Sequence, residues 1–175
     1  MRRRKMKIAY INGFNGENSS KAKILKEKYK AEHIVLKNDF NPDEVCQKLE
    51  EFQPDIVIAS STGCFVVDSC KYDKAKFIYL NPLVDLEDLA KLTDISKLKN
   101  LKTYQKEIIV LVNEDDELLD YKKAYEKYNK IFSFKKGGHR FENIDDLYNI
   151  LTQINSNCYL KKAKHYSHSR QIFLF

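Results

Sequence analysis

Residues 54–70, PDIVIASSTGCFVVDSC, change character halfway along. DIVIAS is a short apolar run rich in β-branched residues, which suits a buried strand, and the residues after ASSTG suit a helix. The joint holds two adjacent serines among small residues. A sharp small-residue turn from buried strand to helix belongs in a βαβ unit, where a parallel sheet is covered by helices.

The same alternation runs outward in both directions. KIAYI (7–11) reads as a strand ended by NGFNG, whose glycines and asparagines mark a tight loop. SSKAKILKEKYKA follows as a helix, with Ser19 or Ser20 as N-cap and Ala22, Leu25 and Tyr29 near helical spacing. HIVLK is a second strand. NPDEVCQKLEEF is a helix with Asn41 as N-cap, Pro42 at the first helical position and acids in the first turn. KFIYL is a fourth strand, stopped by Asn81-Pro82. EIIVLV is a fifth, DYKKAYEKYNK a helix, IFSF a sixth strand and ENIDDLYNILTQI a closing helix.

This pattern predicts the α/β class: one domain over residues 1–155, with a mostly parallel six-stranded sheet and helices on both faces. A basic tail follows at 156–175. The segment between Pro82 and Lys106 is the one place for a small cap, at about 83–106, and LVDLEDLAKL within it is amphipathic. Ligands of such sheets bind beyond the carboxyl ends of the strands. The loops there are NGFNG, SSTG, NPLVD, NEDDELLD and KKGGHRF, and four of the five carry unusual polar chemistry.

At 175 residues the chain suits a single continuous core, and 43% hydrophobic with 12% aromatic residues argues against disorder. No apolar run is long enough to span a bilayer, and MRRRK leads into a run too short for a secretory signal, so a cytoplasmic protein is expected. The four cysteines, Cys46, Cys64, Cys70 and Cys158, have no CxxC pairing or metal spacing and read as reduced thiols. No cofactor motif is present. A net charge of +6, spread along the chain, fits an acidic protein or anionic substrate, and no nucleic-acid motif accompanies it.

The small–x–Ser–x–Gly form of the joint is that of a nucleophile elbow. The turn is so tight that the residues two before and two after the nucleophile must be small. Ala59 and Gly63 satisfy this for Ser61, whereas Ser60 would need the bulkier Ile58 and Thr62 in those places. The elbow would lift Ser61 above the sheet and aim the Thr62 amide at a bound carbonyl oxygen. The plainer reading is a strand-to-helix turn with a capping serine.

A serine nucleophile needs a base, and the base needs an acid to hold its tautomer. Asp115 and Asp116 follow the fifth strand and His139 follows the sixth. Taken singly these are a solvated acidic loop and a surface histidine. Serine, aspartate, histidine at three strand ends is, however, the chain order of α/β-hydrolases.

From about residue 7 to 154 the chain resembles the YqiA-type esterases, small α/β-hydrolases with little or no lid. That family has HGFNSS, GSSLGG, NPAV, GDEVLDY and GGDHSF; this chain has NGFNGENSSKA, ASSTGC, NPLV, DDELLDY and GGHRF in the same order. The resemblance implies Ser61 as nucleophile and His139 as base. The LDY register implies Asp116 as acid, with Asp115 where the family has glycine. It also implies backbone amides of Phe14 and Thr62 as oxyanion donors. Asn12 replaces a histidine and mainly affects loop support, Ala59 replaces the first elbow glycine, and Cys64 replaces the glycine after Gly63. Cys64 falls inside the helix start and reads as a packed thiol.

The expected activity is hydrolysis of an acyl ester or thioester through an acyl-enzyme, on a small molecule or a carrier-bound acyl group. One specific alternative is the BioV-type removal of the methyl group from pimeloyl-acyl-carrier-protein methyl ester in biotin synthesis, where Lys91, Lys97, Lys99, Lys102 and Arg140 would steer an acidic acyl carrier protein. Another is a hydrolase fold kept for binding alone. His33 reads as structural or exposed, and His165 and His168 as part of a flexible or loosely docked tail rather than a metal site.

Overall fold

The computed structural model describes residues 6–14, 16–37, 40–90 and 101–155. Its strands are β1 (Ile8–Phe14), β2 (Glu32–Leu36), β3 (Ile56–Ser61), β4 (Lys76–Pro82), β5 (Ile108–Asn113) and β6 (Ile131–Phe134). Its helices are α1 (Ser20–Tyr29), α2 (Pro42–Phe52), α3 (Thr62–Ser69), α4 (Leu86–Ala90), α5 (Lys122–Lys127) and α6 (Ile144–Asn155). The strands form one sheet in the order β2-β1-β3-β4-β5-β6, and every neighbouring pair is parallel. The chain steps outward from β1 to β2, crosses back to β3 and then runs to β6. The topological switch point therefore lies between β1 and β3, where a ligand crevice opens in sheets of this kind.

Strand side chains alternate between two cores. Ala9, Ile11, Val57, Ala59 and Val110 face Val45 and Leu49 of α2 and Val66 and Val67 of α3. Ile8, Tyr10, Ile56, Ile58 and Ile78 face Leu25 of α1 and Leu147 and Leu151 of α6. Burial on both faces explains why β1 and β3 read as continuous apolar runs rather than alternating ones. The predicted caps form: Ser19 Oγ accepts the Ala22 amide at 3.2 Å and Asn41 Oδ1 accepts the Asp43 amide at 3.1 Å.

Two strands outrun their expected ends. NGF belongs to β1, and Asn81-Pro82 closes β4 rather than stopping it. Proline is tolerated at a strand terminus, where the missing N–H leaves no ladder position empty. Helix α5 is shorter than DYKKAYEKYNK, because Tyr128 turns to an extended backbone and buries its ring edge-on to Tyr79. A 3₁₀ turn, Gly16–Asn18, precedes α1.

The cysteines differ from expectation. Cys46 of α2 and Cys70, just after α3, are disulfide-bonded with their Cα atoms 5.0 Å apart. The two helices pack against the same sheet face, so they bring together cysteines 24 positions apart that no local spacing would pair. Cys64 is free and buried, and burial, reinforced by Asp68, pushes its thiol pKa well up. Cys158 and the rest of the tail lie outside the described residues.

Gly63 sets how closely α3 approaches β1. A Cβ there would lie 2.7 Å from the Asn12 carbonyl oxygen and 2.8 Å from that of Ile11, both fixed backbone atoms. Gly63→Ala is expected to destabilise the fold by about 1–3 kcal/mol, read as a lower urea midpoint at unchanged m-value.

On the opposite face, Lys21 of α1 donates through Nζ to the Arg140 carbonyl. Burial and the Arg140 charge lower its pKa to about 8, against a smaller upward pull from Glu142. The unfolded chain, with an ordinary lysine, binds this proton more tightly than the fold does. Lys21 therefore makes stability rise as pH goes from about 8 towards the ordinary lysine value. Between pH 8 and 9.5 wild type should gain stability relative to Lys21→Met, and the difference should be flat below pH 7. Chemical denaturation across that series checks it, and parallel curves throughout would contradict it.

Candidate functional site

Ser61 is both the last residue of β3 and the residue before α3, with no loop between. Its backbone sits at φ 51°, ψ −123°, a region that costs a non-glycine residue about 1–3 kcal/mol. Its side chain makes no capping hydrogen bond to the helix, so the plain capping-serine reading does not account for it. Ala59 is fully buried, and Gly63 lies against the β1 backbone, as the tight turn requires. Ser60 instead places its hydroxyl 3.3 Å from the Tyr10 hydroxyl.

The end of β1 borders Ser61. A Cβ on Gly13 would lie 3.2 Å from Ser61 Cβ and 3.5 Å from its Oγ, so the glycine keeps this flank open. Phe14 closes β1 and stacks edge-on with Phe40 at 5.4 Å between ring centres. Thr62 opens α3 and is buried. Asn12 supports the loop: its Nδ2 donates to the Gly16 carbonyl at 2.7 Å, and its Oδ1 lies 2.9 Å from His33 Nε2. His33 lies within β2, half-buried and stacked on Tyr10. Burial and the nearby Lys26 charge hold its pKa down, which fits a structural role.

Three of the four consecutive acids after β5 take separate partners on the histidine loop. Asp115 accepts the backbone amides of Gly137 and Gly138 at 3.2 and 2.8 Å. Glu117 accepts the His139 amide at 3.0 Å. Asp116 faces the imidazole: its two carboxylate oxygens lie 3.1 and 3.0 Å from His139 Nδ1. The Asp116 side chain is 2% exposed, and its Oδ1 also accepts the Leu118 and Leu119 amides, each at 2.9 Å. A carboxylate held by two amides presents a fixed acceptor to Nδ1–H, which leaves Nε2 as the basic nitrogen. The loop that delivers His139 needs glycine at both preceding positions, Gly137 at φ 143° and Gly138 at φ 55°.

Asp116 and His139 are thus brought together, and Ser61 stands on the same edge of the sheet. No hydrogen bond joins Ser61 Oγ to the imidazole among the described residues; such contacts are often loose before substrate binds. Two residues to which the sequence assigned no role complete the edge. Asn81, at the end of β4, donates to the carbonyls of Gly138 and His139, and Asn113, at the end of β5, donates to that of Gly138. Their signal in the sequence is a polar residue ending an otherwise apolar strand, in IYLN and VLVN. A hollow of about 400 Å³ lies against the same loop, between Asp115, Glu117, His139 and Glu142.

A second buried polar group lies behind the elbow. Asp68 of α3 accepts the Tyr79 hydroxyl at 2.7 Å and faces Lys127 Nζ at 3.0 Å, joining α3, β4 and α5. Burial, with Asp68 adding to it, raises the Tyr79 pKa well up. A lone aspartate within an apolar helix was the only sequence sign of this group.

Of the cationic residues expected to steer a partner, Lys91, Lys97 and Lys99 lie outside the described residues, as do His165 and His168. Lys102 lies over the Tyr104 ring, and Arg140 is exposed beside His139. Among the described residues no three metal-ligating side chains cluster, and no helix is long and apolar enough to cross a membrane.

No protein-family model matches the chain, and no curated protein matches it in sequence. Among solved structures it is similar to a Xanthomonas campestris pv. campestris protein classed with the hydrolases of the alpha/beta superfamily. The TM-score is 0.58 at 11% identity, over 87% of this chain and 99% of that one. A decarboxylase from Sulfurospirillum multivorans also matches, with 18% identity and a TM-score of 0.32, over 73% of this chain and 33% of that one; that score is too low to bear on the fold. The first likeness, together with the all-parallel six-stranded sheet, shows that the chain has the α/β-hydrolase fold.

Proposed function

We propose that this chain is a serine hydrolase of carboxylic esters or thioesters, with Ser61 as nucleophile, His139 as base and Asp116 as the acid that orients it. The observation that carries the reading is the Ser61 backbone, held at φ 51°, ψ −123° in a joint with no loop and no capping bond. Strain of this kind in a residue with a reactive side chain is characteristic of an active site. The Asp116–His139 contact supplies a base with a fixed tautomer.

In this reading Ser61 Oγ attacks the carbonyl carbon while His139 Nε2 takes its proton. The imidazolium is stabilised through Nδ1–H by Asp116. The tetrahedral oxyanion accepts hydrogen bonds from the backbone amides of Phe14 and Thr62, the latter at the start of α3. Collapse expels the alcohol or thiol, which takes the proton from Nε2. Water, deprotonated by the same nitrogen, then attacks the acyl-enzyme and releases the carboxylic acid and Ser61.

The nucleophile is tested by substitution. Wild type should label rapidly with a fluorophosphonate probe and hydrolyse p-nitrophenyl acetate, Ser61→Ala should do neither, and Ser60→Ala should keep most activity. A larger loss at Ser60 would reverse the assignment, and a folded wild type that never labels would leave a binding fold without turnover.

The acid is tested at adjacent positions. Asp116→Asn should lower kcat by about 10⁴-fold, because an amide favours the wrong imidazole tautomer. Asp115→Asn, which keeps an oxygen for one of the two glycine amides that Asp115 accepts through separate oxygens and leaves the His139 ring contact untouched, should lose far less. Equal losses, read as kcat on the same ester with far-ultraviolet circular dichroism as the folding control, would place the acid elsewhere.

A further inference from the structure

We infer that Asn81 is a positioning residue, which fixes the histidine loop relative to the nucleophile; this rests on the roles proposed above for Ser61 and His139. The need for such a residue follows from sheet geometry. Strands lie about 4.8 Å apart, so β6 ends about 14 Å from the end of β3, across β4 and β5. A histidine carried in after β6 must reach back over two strand ends to serve a nucleophile on β3. Asp116 fixes the ring of His139 but sits after β5, still two strands from Ser61. Some group at the end of β4 has to receive the loop.

Asn81 stands there with every atom of its amide engaged. It is 3% exposed and takes the left-handed backbone φ of 42°, which few non-glycine residues adopt and asparagine tolerates best. Its Nδ2 donates to the Gly138 carbonyl at 2.9 Å and to the His139 carbonyl at 3.1 Å. Its Oδ1 accepts the Asn113 amide at 2.8 Å. Asn113, fully buried, adds a second donor to the Gly138 carbonyl at 2.9 Å. The backbone beside Asn81 meets the nucleophile: Pro82 lies in register with Ser61, and the Leu83 amide donates to the Ser61 carbonyl at 3.2 Å. One side chain therefore grips the peptide of the base while its own main chain flanks the nucleophile. The amide is the required group, because its two ends differ: an acceptor for an N–H and a donor for two carbonyls.

Two substitutions separate positioning from plain stability. Asn81→Asp keeps the shape and the acceptor for Asn113 but turns oxygen lone pairs towards two carbonyls. Asn81→Gly accepts the left-handed backbone without strain and deletes the side chain, so folded protein is available even where the aspartate variant fails to fold. Both are assayed on p-nitrophenyl acetate for kcat and KM, with thermal melting and the proton NMR signal of the His139 Nδ1–H. The expected result is a fall in kcat of about 10²-fold for a displacement near 1 Å, with KM little changed and the Nδ1–H signal shifted or broadened in the folded variants. Folded variants with wild-type kcat and an unchanged imidazole signal would overturn the inference, whatever their melting temperature. If Ser61→Ala remains as active as wild type in the same assay, the proposed nucleophile is at fault rather than the role of Asn81.

Discussion

The close packing of α3 on β1 governs the geometry around Ser61. With Gly63 set against the carbonyls of Ile11 and Asn12, α3 begins one residue after the sheet ends. The chain must then reverse within Ser61, and the backbone at that residue takes a conformation that other sites avoid. Neighbouring choices follow from the same crowding: Ala59 on the strand side, Gly13 beside the serine, and an amide-led helix start at Thr62. Local strain is sustained because the surrounding core, buried on both sheet faces, over-determines it.

The other half of the site adds a dense set of hydrogen bonds to its packing. The loop from β6 to α6 has two glycines in positive φ and is anchored by the buried Phe141 ring, edge-on to Phe134, while its peptides around His139 are held by Asp115, Glu117, Asn81 and Asn113. Directional bonds to backbone groups place a loop without fixing which side chains it carries. Lys21 adds a hold from the opposite sheet face through the Arg140 carbonyl. Backbone crowding sets the elbow, polar bonds over one aromatic anchor set the histidine loop, and the two meet where β4 ends.

Fold class was legible because both-face burial leaves a plain record: six apolar runs, separated by capped helical patterns, each appear as a strand. The elbow was legible for a steric reason, since only Ala59 and Gly63 bracket a serine with small residues. Asp115 and Asp116 could not be told apart from the residues alone; they differ by which amides and ring they face, which is a property of the folded loop. Asn81 and Asn113 were missed because asparagine before proline or at a strand end reads as punctuation. Here those side chains complete a buried network. The Cys46–Cys70 pair was missed because helix packing, not spacing, joins it.

That disulfide has a topological consequence. It closes a covalent ring over residues 46–70, which contains the second half of α2, all of β3, Ser61 and α3. The strands on either side of β3 lie outside the ring, so the segment bearing the serine keeps its ends together even when the sheet around it opens. In the chain-entropy account, closing a ring of about 15 residues already restricts the unfolded ensemble by about 3 kcal/mol, and a longer ring by more. With the disulfide closed, the unfolded segment around Ser61 is already looped back on itself. Opening the ring would release that restriction on the segment that carries the strained joint.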